Sequence, residues 1–181
     1  MQHIIFRNDD VNPNSNIEDI KAMYMIIRKY FPHAEIWSAV NMIAKTSKDG
    51  SCYPAIKPKD IKFTDVNLIF DRKHLPDLEN IASHGLLHLD HRNVDRDLQK
   101  YSILTSCALL NTKVFVPPFW RWNAETNQIC EAAGVKLWTE GDWFNIDNGP
   151  VRENHLLFCF HSWKFTPETF EERFKHLTPS Q

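Results

Sequence analysis

Along this chain, short apolar runs alternate with longer segments whose apolar residues recur at helical spacing, and this alternation constrains the fold more than any other feature. His3 to Arg7, Glu35 to Met42, Val66 to Phe70, Lys113 to Val116, Val135 to Thr139 and Leu156 to Phe160 read as strands. The last of these, LLFCF, is apolar throughout, as suits a strand buried on both faces. Between the first two runs, Ile17, Ile20, Met23, Tyr24 and Ile27 recur at helical spacing behind a capping Asn14, Ser15 or Asn16, and Pro32 stops the helix. A second helix is expected from a cap at Asn93 to about Leu110. A third covers Ala124 to Ala133 with Gly134 at its end, and a last one runs from near Pro167 to about His176. Pro76 to Ser83 reads as a helical turn or two, and 45–60, with Gly50, Pro54 and Pro58, as a loop. Repeated strand and helix imply an α/β fold with a parallel sheet under covering helices, open or rolled into a barrel. No repeat, linker or low-complexity tract interrupts the pattern, so residues 1–181 are expected to form one domain.

Folds of this kind carry their working residues at the carboxyl ends of the strands. Asp9 and Asp10 follow the first strand, His84 and His88 follow a short element after Phe70, and His161 follows LLFCF. Taken singly, an Asp-Asp pair is as readily a solvated turn, and a histidine behind an apolar strand a hydrogen-bonded core residue. Taken together they match one chemistry. A catalytic zinc takes three protein ligands and keeps a position open. Two neutral imidazoles and one carboxylate leave the site near +1, which acidifies water and polarises a carbonyl. His84 and His88, four apart, meet at one point if they share a helical face, and Asp10 can supply the third ligand. Amide hydrolysis also needs a base and an acid. Asp9 is placed to be the base, with Arg7 or Arg121 keeping it ionised, and His161 is placed to be the acid. Phe119, Trp120, Trp122, Trp138, Trp143, Phe144 and Trp163 crowd the later half, either as core or as rings lining a pocket.

The formal net charge of −2 argues against a nucleic-acid or anionic-membrane partner, both of which call for a basic surface. The N-terminus has no apolar stretch long enough for a secretory signal, and nowhere do about 20 apolar residues run together, so a cytoplasmic location is expected. Cys52, Cys107, Cys130 and Cys159 are scattered without a CxxC pair and read as reduced thiols.

Four segments, in order, resemble the motifs of the polysaccharide deacetylase superfamily (NodB homology, carbohydrate esterase family 4). They are Arg7-Asn8-Asp9-Asp10-Val11, His84-Gly85-Leu86-Leu87-His88, Phe115-Val116-Pro117-Pro118-Phe119 and Phe160-His161-Ser162. The resemblance spans about residue 3 to 165. It implies a distorted, incomplete (β/α) barrel with a His-His-Asp metal site that removes acetyl groups from N-acetylated sugars, zinc being the first choice of ion. By motif, Asp9 matches the base, Asp10, His84 and His88 the metal ligands, and His161 the general acid. Gly141-Asp142-Trp143 resembles a late Asp/Trp motif that walls the acyl pocket. Pro118, Phe119, Trp120, Trp143 and Trp163 form the expected substrate-binding set.

Two positions depart from the pattern. Val11 stands where the first motif usually has glycine, which resembles a divergent branch associated with bacterial surface polysaccharides. The arginine that usually opens the third motif and orients the base is missing, and Arg121, just past Pro118, is the expected replacement. His91 is an alternative to His88 as ligand, and Asp90 reads as a surface or supporting group. The expected function is therefore a metal-dependent hydrolase acting on an N-acylated amino sugar of a surface polysaccharide or its precursor. The competing expectation is an inactive metal- or carbohydrate-binding module on the same fold. The missing arginine favours the module, and the retention of Asp9 and His161 speaks against it.

Overall fold

The computed structural model describes residues 3–42, 75, 77–152 and 154–178. The expected strand at Val66 to Phe70, the 45–60 loop, Cys52 and His74 lie outside these residues. In chain order the elements are β1 (Ile5–Val11), α1 (Ile17–Tyr30), β2 (Glu35–Val40), β3 (Asn80–Ser83), α2 (Arg96–Leu110), β4 (Val114–Phe115), α3 (Ala124–Ala132), β5 (Lys136–Leu137), β6 (Trp143–Asn145), β7 (Leu157–His161) and α4 (Pro167–Glu171). Every pairing among the described strands is parallel, in the order β5-β4-β3-β2-β1-β7-β6. The sheet curls into a half-barrel covered by helices, which is the incomplete (β/α) barrel. Its two edges, β5 and β6, are consecutive in the chain, and the rings of Trp138 and Trp143 meet edge-on at 5.3 Å between them. No described helix is long and apolar enough to cross a membrane.

Two apolar layers hold the sheet. On the outer face, α1 lays Ile20, Met23, Tyr24 and Ile27 against Phe6, Ile36, Phe158 and Phe160, with Phe170 and Phe174 completing the layer. Asn16 caps α1 by accepting from the Glu18 and Asp19 amides, and Arg28 and Lys29 sit in its last turn, so both ends complement the helix dipole. The inner face of the curl holds Ile5, Trp37, Ala39, Ala82, Val116, Trp138 and Trp143. The small alanines on the central strands leave room for the bulky rings coming from the edges. A third cluster, Ile103, Cys107, Phe115, Ile129 and Cys130, seats α2 and α3.

Three expectations are corrected. Asn80–Ser83 is a strand, not a helical turn, because it pairs with β2 and delivers Ser83 to β4. The cap of α2 is Asp95, not Asn93, since Asn93 donates its side-chain amide to Asp90 and closes a separate short turn over His91–Asn93. β6 was not expected at all: three residues of mixed exposure carry too little periodicity to mark a strand, and its pairing with β7 makes it one.

Candidate metal centre

Asp9 and Asp10 lie inside β1, and a regular strand would send them to opposite faces. The register shows why it does not. Asn8 pairs with Ser38 and Val11 with Val40, so two residues of β1 face one of β2, and Asp10 takes a left-handed φ of 64°. This bulge re-aims one side chain and brings both carboxylates to the inner, carboxyl end of the sheet. Ser162 and Tyr24 anchor Asn8 on the outer side, where Asp10 would otherwise point.

His84 follows β3 directly, and His88 reaches the same point through a tight turn rather than along a helix. Gly85 makes that turn at φ +91°, where an added Cβ would lie 2.8 Å from the Leu87 carbonyl oxygen. The Leu86 amide donates to Ser102 and the Asn41 side-chain amide to the His84 carbonyl, pinning the loop to α2 and β2. Asp10 Oδ1 lies 3.2 Å from His84 Nε2 and 3.0 Å from His88 Nε2. Ligand atoms about 2.0–2.1 Å from a tetrahedral zinc sit about 3.3 Å apart, so the two Asp10 edges are close to those of a zinc cage, and all three ligand atoms lie within 4.8 Å of one another. His84 Nδ1 donates to the Val116 carbonyl oxygen at 2.8 Å, which fixes the ring and directs Nε2 toward Asp10. Burial raises the Asp10 pKa, but the hydrogen bonds and charges of His84 and His88 outweigh it and hold the carboxyl well below its ordinary value. The donor set thus fits a divalent ion. Among the described residues this is the one group of three or more such side chains whose ligand atoms converge.

Beside the triangle stand Asp9 and His161, each held by a partner. Arg7, fully buried, donates from Nε and Nη2 to the two oxygens of Asp9 at 2.6 and 2.7 Å. Arg121, the other expected partner, does not do this: half-exposed, it reaches Asp90 at 3.1 Å. The i, i+2 spacing of Arg7 and Asp9 on one strand face makes the nearer arginine the partner. Opposite, His161 pairs in register with Asp9, and its Nε2 lies 3.6 Å from Asp10 Oδ2. Its Nδ1 meets Asp147 Oδ2 at 2.6 Å, while its backbone amide donates to Asp147 Oδ1. Burial lowers the His161 pKa, but the Asp147 bond and the charges of Asp10 and Asp9 outweigh it, so the imidazole sits above its ordinary value. Lys164 also bonds Asp147, at 2.8 Å.

Asp147 escaped the sequence reading. It follows β6, and the strand-end rule that flagged Asp9 and His161 would have flagged it had β6 been recognised. Asp142, picked out beside Trp143, lies at the opposite end of β6 with a 96% exposed side chain, 3.7 Å from His155. His91, the alternative ligand, lies outside the convergent group: it is buried against Phe115, and burial pushes it down to about 4.

The expected substrate-binding residues divide into two groups. Phe119 covers His88 at 4.2 Å between ring centroids and is 38% exposed, while Trp163 lies 5.8 Å from His161 and is 40% exposed, so both rings flank the centre at the surface. Trp120 and Trp143 instead face inward onto Arg7, and Pro118 is buried. Phe119 and Trp120 both hold left-handed φ, 57° and 55°, a strain of about 1–3 kcal/mol each for residues with side chains. Cys107, Cys130 and Cys159 are buried free thiols, pushed up to about 11, 12 and 12 by burial, and take no part.

No family profile matches the sequence, and no curated protein does. Solved structures do. A family 4 carbohydrate esterase from Streptomyces lividans in complex with acetate superposes with a TM-score of 0.57 at 12% identity, over 97% of this chain and 88% of that one. The peptidoglycan deacetylase PdaC from Bacillus subtilis gives 0.59 at 12% identity, over 97% and 83%. A family 4 pseudoenzyme from Bacillus anthracis gives 0.59 at 11% identity, over 94% of this chain and 59% of that one. At such identities the likeness carries the fold, which is that of the family 4 carbohydrate esterases.

Proposed function

We propose that this chain is a metal-dependent hydrolase that removes an N-acetyl or similar acyl group from an amino sugar of a surface polysaccharide or its precursor. The observation that carries the reading is the triangle of Asp10, His84 and His88, with Asp9 beside it and His161 across from it. Asp10, His84 and His88 would hold a divalent cation, zinc by preference, which would supply Lewis-acid polarisation of the acyl carbonyl and of the attacking water. Asp9, fixed by Arg7, accepts the proton of that water, and its location next to Asp10 keeps the transfer short. His161, whose pKa Asp147 helps to hold above its ordinary value, gives a proton to the departing amine. The Phe119 amide, the first backbone donor after Pro117 and Pro118, is the candidate partner for the developing oxyanion. Phe119 and Trp163 offer exposed rings on which sugar faces can stack.

The test is acetate release from N-acetylated chitooligosaccharides by zinc-loaded protein, alongside Asp9→Asn. This variant should bind zinc normally and lose turnover; near-normal turnover would remove Asp9 from its role. The second reading, an inactive binding module, draws on the missing arginine before Pro117 and on the pseudoenzyme that shares the fold. The two-point Arg7–Asp9 contact weakens it, because the base has an arginine all the same.

A further inference from the structure

Resting on the hydrolase reading above, in which Arg7 fixes Asp9, we propose that Trp120 and Trp143 clamp Arg7 and through it hold Asp9 in place, rather than wall the acyl pocket. The Arg7 guanidinium carbon lies 4.2 Å from the Trp143 ring centroid and 4.6 Å from that of Trp120, with Trp138 at 5.5 Å. Its Nε and Nη2 are spent on Asp9, and among the described residues its buried Nη1 has no hydrogen-bond partner. What surrounds the rest of the cation is therefore aromatic faces, which attract it at these distances. Bidentate pairing fixes the guanidinium plane, and rings packed on two sides of its carbon resist the fork's swinging away from the carboxylate.

The clamp is built from separate parts of the fold, each with its own anchor. Trp143 opens β6 and is tied by its indole N–H to the Glu140 carbonyl at 2.9 Å. Trp138, following β5, braces Trp143 edge-on. Trp120 is carried inward by the left-handed Phe119-Trp120 backbone, a conformation such residues adopt only when held to it. Three elements distant in the chain thus converge on one β1 side chain, at the seam where the sheet edges β5 and β6 stay unpaired with each other.

The experiment compares zinc-loaded wild type with Arg7→Ala, Arg7→Lys and Trp143→Leu, on N-acetyl and N-propionyl chitooligosaccharides. Both Arg7 variants should keep zinc stoichiometry and the circular-dichroism spectrum, while kcat falls about 10²-fold at unchanged KM, as expected when a reacting group is misplaced by an ångström. Guanidinium at millimolar, non-denaturing concentration should restore part of the kcat of Arg7→Ala and perturb its tryptophan fluorescence saturably, with no such response from wild type. Trp143→Leu should lower kcat without altering the acetyl-to-propionyl ratio. The clamp is overturned if Trp143→Leu changes that ratio with kcat on the acetyl substrate retained, or if guanidinium neither binds Arg7→Ala nor rescues it. The fluorescence titration is independent of turnover: should wild type release no acetate, the hydrolase reading fails and the titration still decides the clamp.

Discussion

Adding zinc to metal-free protein should raise its melting temperature, and three side chains should be needed for the rise. The perturbation is zinc at 100 times its dissociation constant, on wild type and on His84→Ala, His88→Ala and Asp10→Asn. Asp10 Oδ1 already stands 3.2 and 3.0 Å from the His84 and His88 nitrogens, against the about 3.3 Å of a tetrahedral zinc edge. Two further features prepare them: His84 has its proton directed to Val116, and Asp10 is held ionised by its imidazole neighbours. The three donors converge only in the folded chain, so zinc binds the folded state in preference to the unfolded one and stabilises it. Mass action then gives about 2.7 kcal/mol at that concentration. For a chain of this length each kcal/mol moves the midpoint about 2–4 °C, so the shift is about 5–11 °C. The assay is scanning calorimetry with and without zinc, at pH 7. Each of the three variants should lose most of the shift at the same zinc concentration. A full shift in His84→Ala, or none in wild type at saturation, would refute the reasoning.

Asp147→Asn removes the bond that holds His161 above its ordinary pKa, so the alkaline limb of kcat, where the acid loses its proton, should move to lower pH; an unmoved limb would detach Asp147 from the acid. His91 is buried with its pKa pushed down to about 4 from an ordinary 6.5, so the unfolded chain binds more protons between those values and stability rises with pH across them. His91→Phe should therefore recover about 3 kcal/mol at pH 4 relative to its effect at pH 7, measured by urea unfolding, and equal effects at both pH values would contradict this. Gly85→Ala places a methyl 2.8 Å from the Leu87 carbonyl oxygen at φ +91°, so it should lower stability by about 1–3 kcal/mol and weaken zinc binding in the same protein. Unchanged zinc affinity would show that the turn does not bring His88 to His84.

Much of the architecture was legible in the amino-acid order because periodicity is a local property. The apolar stripe of α1, the runs of β1, β2 and β7, and the capped α3 can each be read within a dozen residues, and their alternation demands parallel strands. The residue types of the site were legible for a related reason: the adjacent aspartates and the late histidine each follow an apolar run, where parallel folds expose their chemistry, and two further histidines stand four residues apart. How these side chains meet was left to the tertiary structure. No local pattern announces that β1 bulges against β2, yet that extra residue turns Asp10 from the helix side to the site. His84 and His88 converge through a turn at Gly85, a geometry that their spacing alone would have assigned to a helix. Arg7 and not Arg121 holds Asp9, and Asp147 holds His161 from the end of β6, because the face and the end of a strand belong to its pairing with neighbours. Sequence sets what each element is and which chemistry it carries. Register between elements distant in the chain sets where that chemistry points.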